Sequence, residues 1–303
     1  MLFGVAALVA IGAVAVRVSD LKADQRGPTD LVPTPSGTLS PVPVFSHVYV
    51  VVLENKSFRA VVETPGAAPR FNELRATYAS LDAYQGIAHP SQPNYIAMAA
   101  GSTLGVVDNR PADVSGPSIF DQLETHGRDW RVYAENLPPG CFTGATAVDG
   151  RDGVGEYVRK HNPAISFVAI QQDPARCAKV QDLTSFDPAA ADLSFIIPNQ
   201  CHNSHDCTLE TADAWLADFL RPIMASPTYL DGGLIVVLFE ESNGGDAENH
   251  VPAIVISEDV VRGQRSTVPH THYSLLRTLQ EAWSLRCLAL SCEANTFGEV
   301  FGS

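Results

Sequence analysis

The sequence predicts an α/β protein with a mostly parallel central sheet and helices on both faces. Three observations predict it. Strand-like and helix-like signals alternate along the chain, the strand candidates are near-continuous Val, Ile and Leu runs, and several runs end in acidic or amide side chains. Continuous apolar runs fit strands buried on both faces, as in parallel sheets covered by helices. In such folds ligands sit beyond the carboxyl ends of strands, so the polar residues that follow apolar runs are the ones to watch.

The chain opens with an apolar run from Met1 to Val16, ended by Arg17. That length is short for a membrane span and suits a secretory signal peptide or an N-terminal membrane anchor over residues 1–18; a buried N-terminal helix is the alternative. Residues 19–44 hold five prolines among Ser, Thr and Gly, the composition of an extended linker. A folded domain is expected over 45–303. "HVYVVVLEN" (47–55) reads as a buried strand. "PNYIAMAAG" (93–101) begins with Pro and ends with Gly, the start and stop asymmetry of a short helix. "SIFDQLETHG" (118–127) reads as an amphipathic helix leading into the strand "WRVYAEN" (130–136), and "LSFIIPN" (193–199) is a further strand. "TLETADAWLADFLRPIMAS" (208–226) is a helix with Leu209, Trp215, Phe219 and Leu220 on one side. "GGLIVVLFEE" (232–241) and "VPAIVIS" (251–257) are buried strands, and "HYSLLRTLQEAWSL" (272–285) is a late helix. No internal repeat is visible.

The composition is that of a globular protein, 45% hydrophobic and 18% charged over 303 residues. A formal charge of -14 without a long basic run excludes nucleic acid as a partner. A small phosphorylated molecule remains compatible, because a local cation can reverse the sign of a site. Membrane contact is expected only through the N-terminal anchor. Six cysteines, at 141, 177, 201, 207, 287 and 292, allow three disulfides in 15 pairings among which the sequence does not choose. The even count and the absence of CxxC favour an oxidising compartment, so the protein is expected to be secreted or on the outer face of the membrane.

Three apolar runs deliver polar groups to one sheet edge: Glu54 and Asn55 after the first, Glu240 and Glu241 after "LIVVLF", and Asn199, His202, His205 and Asp206 after "FIIP". Carboxylates, an amide oxygen and imidazole make a divalent-metal site plausible in Ca, Mg, Mn or Zn chemistry. A solvated strand end is the bland reading of any one of them. "HPSQPNY" (89–95) places Ser91 at the start of a helix, where backbone N–H groups and the dipole suit an anionic phosphoryl group. There Asn94 could donate its amide to a phosphate oxygen, with His89 nearby; the bland alternative makes Ser91 a mere N-cap. No GxSxG elbow is present near Ser91, which weighs against an acyl hydrolase.

The ordered set "HVYVVVLENKSF", "HPSQPNY", "YVRKHNP", "PNQCHNSHDC", "DAWLADFL", "IVVLFEESNGG" and "HYSLLRTL" resembles the phosphoesterase family of bacterial phospholipases C and secreted acid phosphatases, from about residue 46 to the C-terminus. The resemblance implies an alkaline-phosphatase-like fold and an exported, metal-assisted acid phosphatase acting on phosphate monoesters, with a phosphorylated lipid among the possible substrates. It implies Ser91 as nucleophile and His205 as the catalytic acid and base. Glu54, Asn55, Ser91, Glu240 and Glu241 match the metal-binding positions, and Asn94 the residue that would hold phosphate. His89, Lys160 and His161 are expected to contact substrate, although the last two suit a surface basic patch as well. Glu240 departs from the family's usual Asp, and Asn249 stands where the phospholipases often carry Asp. A phospholipase C-type diesterase and a non-catalytic exported binding protein on the same fold are the alternatives.

Overall fold

The computed structural model describes residues 41–148, 156–243 and 246–302. The expected signal or anchor segment and all but the last four residues of the expected linker lie outside the described residues. The strands are β1 (His47–Leu53), β2 (Ala79–Leu81), β3 (Tyr84–Gln85), β4 (Trp130–Ala134), β5 (Thr146–Val148), β6 (Glu156–Val158), β7 (Val180–Asp182), β8 (Leu193–Ile197), β9 (Gly233–Phe239), β10 (Ala253–Ile256), β11 (Arg265–Ser266) and β12 (His270–Thr271). Eight of them form the central sheet in the order β11-β2-β10-β9-β1-β8-β4-β7, and β3 with β12 and β5 with β6 make two small ribbons.

The sheet is parallel except at β10, which runs antiparallel to both β9 and β2. Strand β1 lies between β8 and β9, with Val50 opposite Phe195 on one side and Val236 on the other. Every residue from Val48 to Leu53 is buried, so both faces of the sheet are covered at its centre. That is why this strand reads as an unbroken apolar run instead of an alternating one. The expected strands are all present; the short β2, β7 and β11 carried too few residues to show a period.

The longer helices are α1 (Pro69–Thr77), α2 (Ser91–Ala100), α3 (Ile119–Thr125), α4 (Leu209–Met224) and α5 (His272–Ala282). Helix α1 packs on α4 and α2 packs on α5. The first pairing has a polar lock. Asp213 of α4 is buried, and its carboxylate accepts from the backbone N–H groups of Arg70 and Phe71 at 2.9 and 2.7 Å, serving the free donors at the start of α1. Ser118 and Thr271 cap α3 and α5 through their side chains.

Helix α2 begins two residues before the expected Pro93, and all ten of its residues are buried. It ends at Gly101, whose φ of 69° is left-handed and whose N–H bonds Ala97 O at 2.9 Å. A Cβ there would strike the Leu288 carbonyl, so the glycine also permits close approach. The disulfides are Cys141–Cys177, Cys201–Cys207 and Cys287–Cys292, a pairing that the sequence had left open.

Candidate active site

Because β1 and β9 are parallel neighbours with Leu53 opposite Phe239, the next residues, Glu54 and Glu240, emerge side by side at the carboxyl edge. Glu240 N–H bonds Leu53 O at 3.0 Å, continuing the ladder one step past the strands. Asn55 then turns the chain with a left-handed φ of 55°, which Asn tolerates better than most residues, and its N–H points at Glu240 Oε2, 3.4 Å away. Glu240 Oε2 also accepts from the N–H of Glu241.

Helix α2 brings Ser91 into this group. Its Oγ lies 3.0 Å from Glu241 Oε1 and 3.5 Å from Glu54 Oε2. Ser91 is the first helical residue, with Pro90 at the cap position and no side-chain cap bond, so the bland reading of Ser91 as an N-cap does not describe it. Serine and carboxylates are essentially closed to solvent, with Glu54 and Glu240 at 0% exposure. Burial pushes the Glu54 carboxyl up, against hydrogen bonds from Glu240 and Tyr95 that favour its ionised form. Burial, reinforced by the charge of Glu54, drives Glu240 well above the ordinary carboxylate range.

Protonation or a bound cation would each relieve the repulsion in such a cluster. Glu240 Oε1 is buried without a hydrogen-bond partner, which leaves a carboxylate oxygen free for a metal. The all-oxygen donor set of Glu54, Asn55, Ser91, Glu240 and Glu241 suits a hard divalent cation. Among the described residues no three His, Cys, Asp or Glu side chains already stand in a ligating array. Here the carboxylates are bonded to Ser91, Tyr95 and backbone N–H groups, contacts that a bound cation would replace in part.

The turn ahead of Ser91 is fixed from two sides. Asn94 Oδ1 accepts from the N–H groups of Ile87 and Ala88 at 2.8 and 2.9 Å, while its Nδ2 donates to Ala88 O at 2.8 Å. Its side chain therefore braces the turn ahead of Ser91, and one amide N–H remains beyond the bond to Ala88 O. Asn249, at a left-handed φ of 51°, accepts from Ser242 N–H at 2.7 Å and donates to Ala88 O at 3.2 Å. It thus ties the segment after the acid pair to the turn ahead of Ser91. Gly86 passes between them: a Cβ there would lie 2.7 Å from Glu240 O and would strike the Asn249 amide.

A cleft of about 430 Å³ opens onto this cluster, lined by Asn55, Lys56, His89, Pro90, His205 and Glu241 with Ser242 and Asn243. A larger cavity of about 930 Å³, beside Pro138, Pro139 and the Cys141–Cys177 disulfide, contains none of the convergent residues. Chemistry, not size, selects the site. His89 Nδ1 hydrogen-bonds Glu241 Oε2, and that bond raises the pKa of the ring above its ordinary value. His205 Nδ1 lies 2.6 Å from Asp206 Oδ1, an orientation that leaves Nε2 as the atom able to exchange a proton in the cleft.

His161 is placed otherwise than expected. It is fully buried, stacks on Tyr95 at 5.3 Å and sits 3.2 Å from Glu54 Oε2; burial lowers its pKa well below the usual value. So enclosed, the ring backs Glu54 and lies 6.0 Å from that of His205. Lys160 is half-buried and acts on Glu54 and His161 through its charge, but does not line the cleft. His250 stacks on Phe58 and bonds Asp82 O, away from the cluster.

Tyr95, Asn203 and Ser204 went unread in the sequence. Tyr95 donates to Glu54 Oε1 at 2.5 Å; its spacing of four from Ser91 on one helix face was the available signal. Glu54 N–H bonds Asn203 O and Ser204 Oγ donates to Glu54 O, both at 2.8 Å, so the Cys201–Cys207 loop clamps the backbone of Glu54. Buried His272 bonds the Glu240 carbonyl at 2.6 Å through Nε2, and burial lowers its pKa to about 4. Nothing local in the sequence marks the contacts of Asn203 and Ser204.

A mostly parallel sheet with buried carboxylates and a helix-borne serine at its carboxyl edge defines an alkaline-phosphatase-like α/β protein. The fold is similar to that of a protein in the alkaline phosphatase superfamily from Vibrio parahaemolyticus, with a TM-score of 0.56 at 10% identity over 91% of this chain and 76% of that one. The chain belongs to the phosphoesterase family, whose model matches residues 63–286. It is 29% identical over 274 residues to a phosphatidylinositol-3-phosphatase of Mycobacterium tuberculosis, covering 89% of this chain and 88% of that protein. It is 28% identical over 253 residues to a probable acid phosphatase of Kluyveromyces lactis, covering 80% and 59%. The chain spans about six-tenths of the length of the fungal acid phosphatases it matches.

Proposed function

We propose that the protein is an exported, cation-assisted phosphomonoesterase that works through a phosphoserine at Ser91. The observation that carries this is the approach of a buried serine hydroxyl to carboxylates from two different strands, 3.0 Å from Glu241 and 3.5 Å from Glu54. Serine is a weak nucleophile until its proton has somewhere to go and the phosphoryl charge is offset. A divalent cation held by Glu54, Asn55, Ser91, Glu240 and Glu241 would supply that charge neutralisation and lower the pKa of the hydroxyl.

The chain's own groups account for the proton transfers. Ser91 Oγ attacks phosphorus in line and passes its proton to Glu241 Oε1. The bond from phosphorus to the leaving oxygen breaks, and that alkoxide takes a proton from His205. In the second step water gives its proton to His205 and attacks the phosphoserine. Phosphate leaves, and Ser91 recovers its proton from Glu241. The first step needs the imidazolium form of His205, consistent with work at acid pH. Three disulfides and no free cysteine among the described residues support export. The phosphatase relative that acts on a phosphoinositide puts phosphorylated lipids among the substrates to assay.

Ser91→Ala should abolish phosphomonoester turnover by ~1,000-fold or more and leave the thermal transition in place. Acid-quenched wild-type protein should carry phosphate on the Ser91 peptide. Turnover retained by the alanine variant ends the nucleophile assignment. Chromogenic monoester and diester substrates, assayed side by side, separate this reading from a diesterase.

A further inference from the structure

The site carries three buried carboxylates in a chain of formal charge -14, so an incoming phosphoryl dianion meets a negative field. The cleft must offer a positive charge that is not already spent. His89 is hydrogen-bonded to Glu241, and His205 to Asp206. Lys160 does not line the cleft. Lys56 is the one ammonium or guanidinium among the described residues that does.

Its placement is specific. Asn55 turns the chain out of β1 in a left-handed conformation, and Lys56 follows at once, beside the carboxylate group yet bonded to none of it. Its Nζ donates to Ser204 O at 2.6 Å, and among the described residues no carboxylate pairs with it. An ammonium has three donors, so two remain after the Ser204 bond is made. That bond holds the long side chain against the Cys201–Cys207 loop, which lowers the entropy still to be lost when an anion arrives.

We propose that Lys56 binds the phosphoryl group of the substrate, and of the orthophosphate product, in the cleft. The proposal rests on the phosphomonoesterase reading above and adds to it a residue that the cation-binding set and His205 do not include. An ammonium offers a point charge instead of a bidentate fork, so the contact is sensitive to charge and tolerant of what the phosphate is esterified to.

The test uses the full chain with a divalent salt present and orthophosphate as the probe. Lys56→Gln keeps an N–H donor for Ser204 O and removes the charge; Lys56→Arg keeps the charge. Thermal melts establish that both variants fold. In Lys56→Gln, orthophosphate should bind about tenfold more weakly by titration calorimetry, and KM for a phosphomonoester should rise by about the same factor. The value of kcat should stay within about threefold, because charge attraction shared by substrate and transition state is lost from binding. Lys56→Arg should recover most of the affinity. The wild-type KM should climb with salt more steeply than that of the Gln variant. Unchanged orthophosphate affinity in Lys56→Gln overturns the proposal and leaves the phosphatase reading standing. A fall in kcat alone would mean that Lys56 only positions the His205 loop, and also overturns it. Wild-type protein that neither binds orthophosphate nor turns over monoester removes both.

Discussion

Single side chains in this protein are decided by what burial leaves unsatisfied. Ser91 could have capped its helix; instead its hydroxyl faces two carboxylates, because the turn before it is fixed by Asn94 and Asn249. Glu299 shows the opposite outcome, a carboxylate whose environment suits its charge. Burial pushes it up, but hydrogen bonds with His270 and Ser266, each at 2.6 Å, bring it below the ordinary carboxylate value. A carboxyl depressed on folding contributes stability above its unfolded pKa and loses it as pH falls through the folded one. Glu299→Gln should therefore cost about 1–3 kcal/mol at neutral pH, by the usual worth of bonds to a charged group. The gap between variant and wild type should close below the ordinary carboxylate range in urea titrations run at a series of pH values. A gap that widens on acidification would contradict the assignment.

At the scale of elements, the site depends on close approach between a turn and a strand end. Gly86 sits where the turn ahead of Ser91 passes the Glu240 carbonyl, and a methyl group there would come within 2.7 Å of that oxygen. Gly86→Ala should lower kcat and destabilise the fold by about 1–3 kcal/mol, the usual cost of overpacking a fixed backbone contact. Steady-state kinetics and denaturant unfolding on one preparation would check both, and an unaffected kcat would show that the turn can move without consequence. The Cys201–Cys207 loop works in the same way on the other side, with Ser204 at a left-handed φ of 75° bonded to Glu54 O while its own carbonyl receives Lys56. These contacts join segments some 150 residues apart in the chain, so no local window of sequence could show them.

For the molecule as a whole, one sheet brings like charges together and its stability should reflect that. Anything that binds the folded state alone stabilises it by mass action, about 2.7 kcal/mol at a hundredfold excess over the dissociation constant. A divalent cation joining Glu54, Glu240 and Glu241 should raise the thermal midpoint by several degrees, and a chelator should reverse the gain. Scanning calorimetry with Ca, Mg, Mn and Zn in turn would also rank the metals. No shift with any of them would remove the cation from the proposed mechanism.

The sequence by itself determined the sheet and its carboxyl edge. Runs such as "VYVVVL" and "LIVVLF" are long enough to declare strands buried on both faces, and the acids that follow them had to emerge at one edge. It also placed a serine at the start of a short helix. Tertiary structure alone decided which polar groups meet. Asn94 braces the turn before Ser91, His161 packs in the interior against Glu54, and Tyr95, Lys56 and Asn203 entered unannounced. Periodicity reports whether a residue faces the core, a property of its own strand or helix. A hydrogen bond between distant segments depends on register and loop path, which only the folded chain defines.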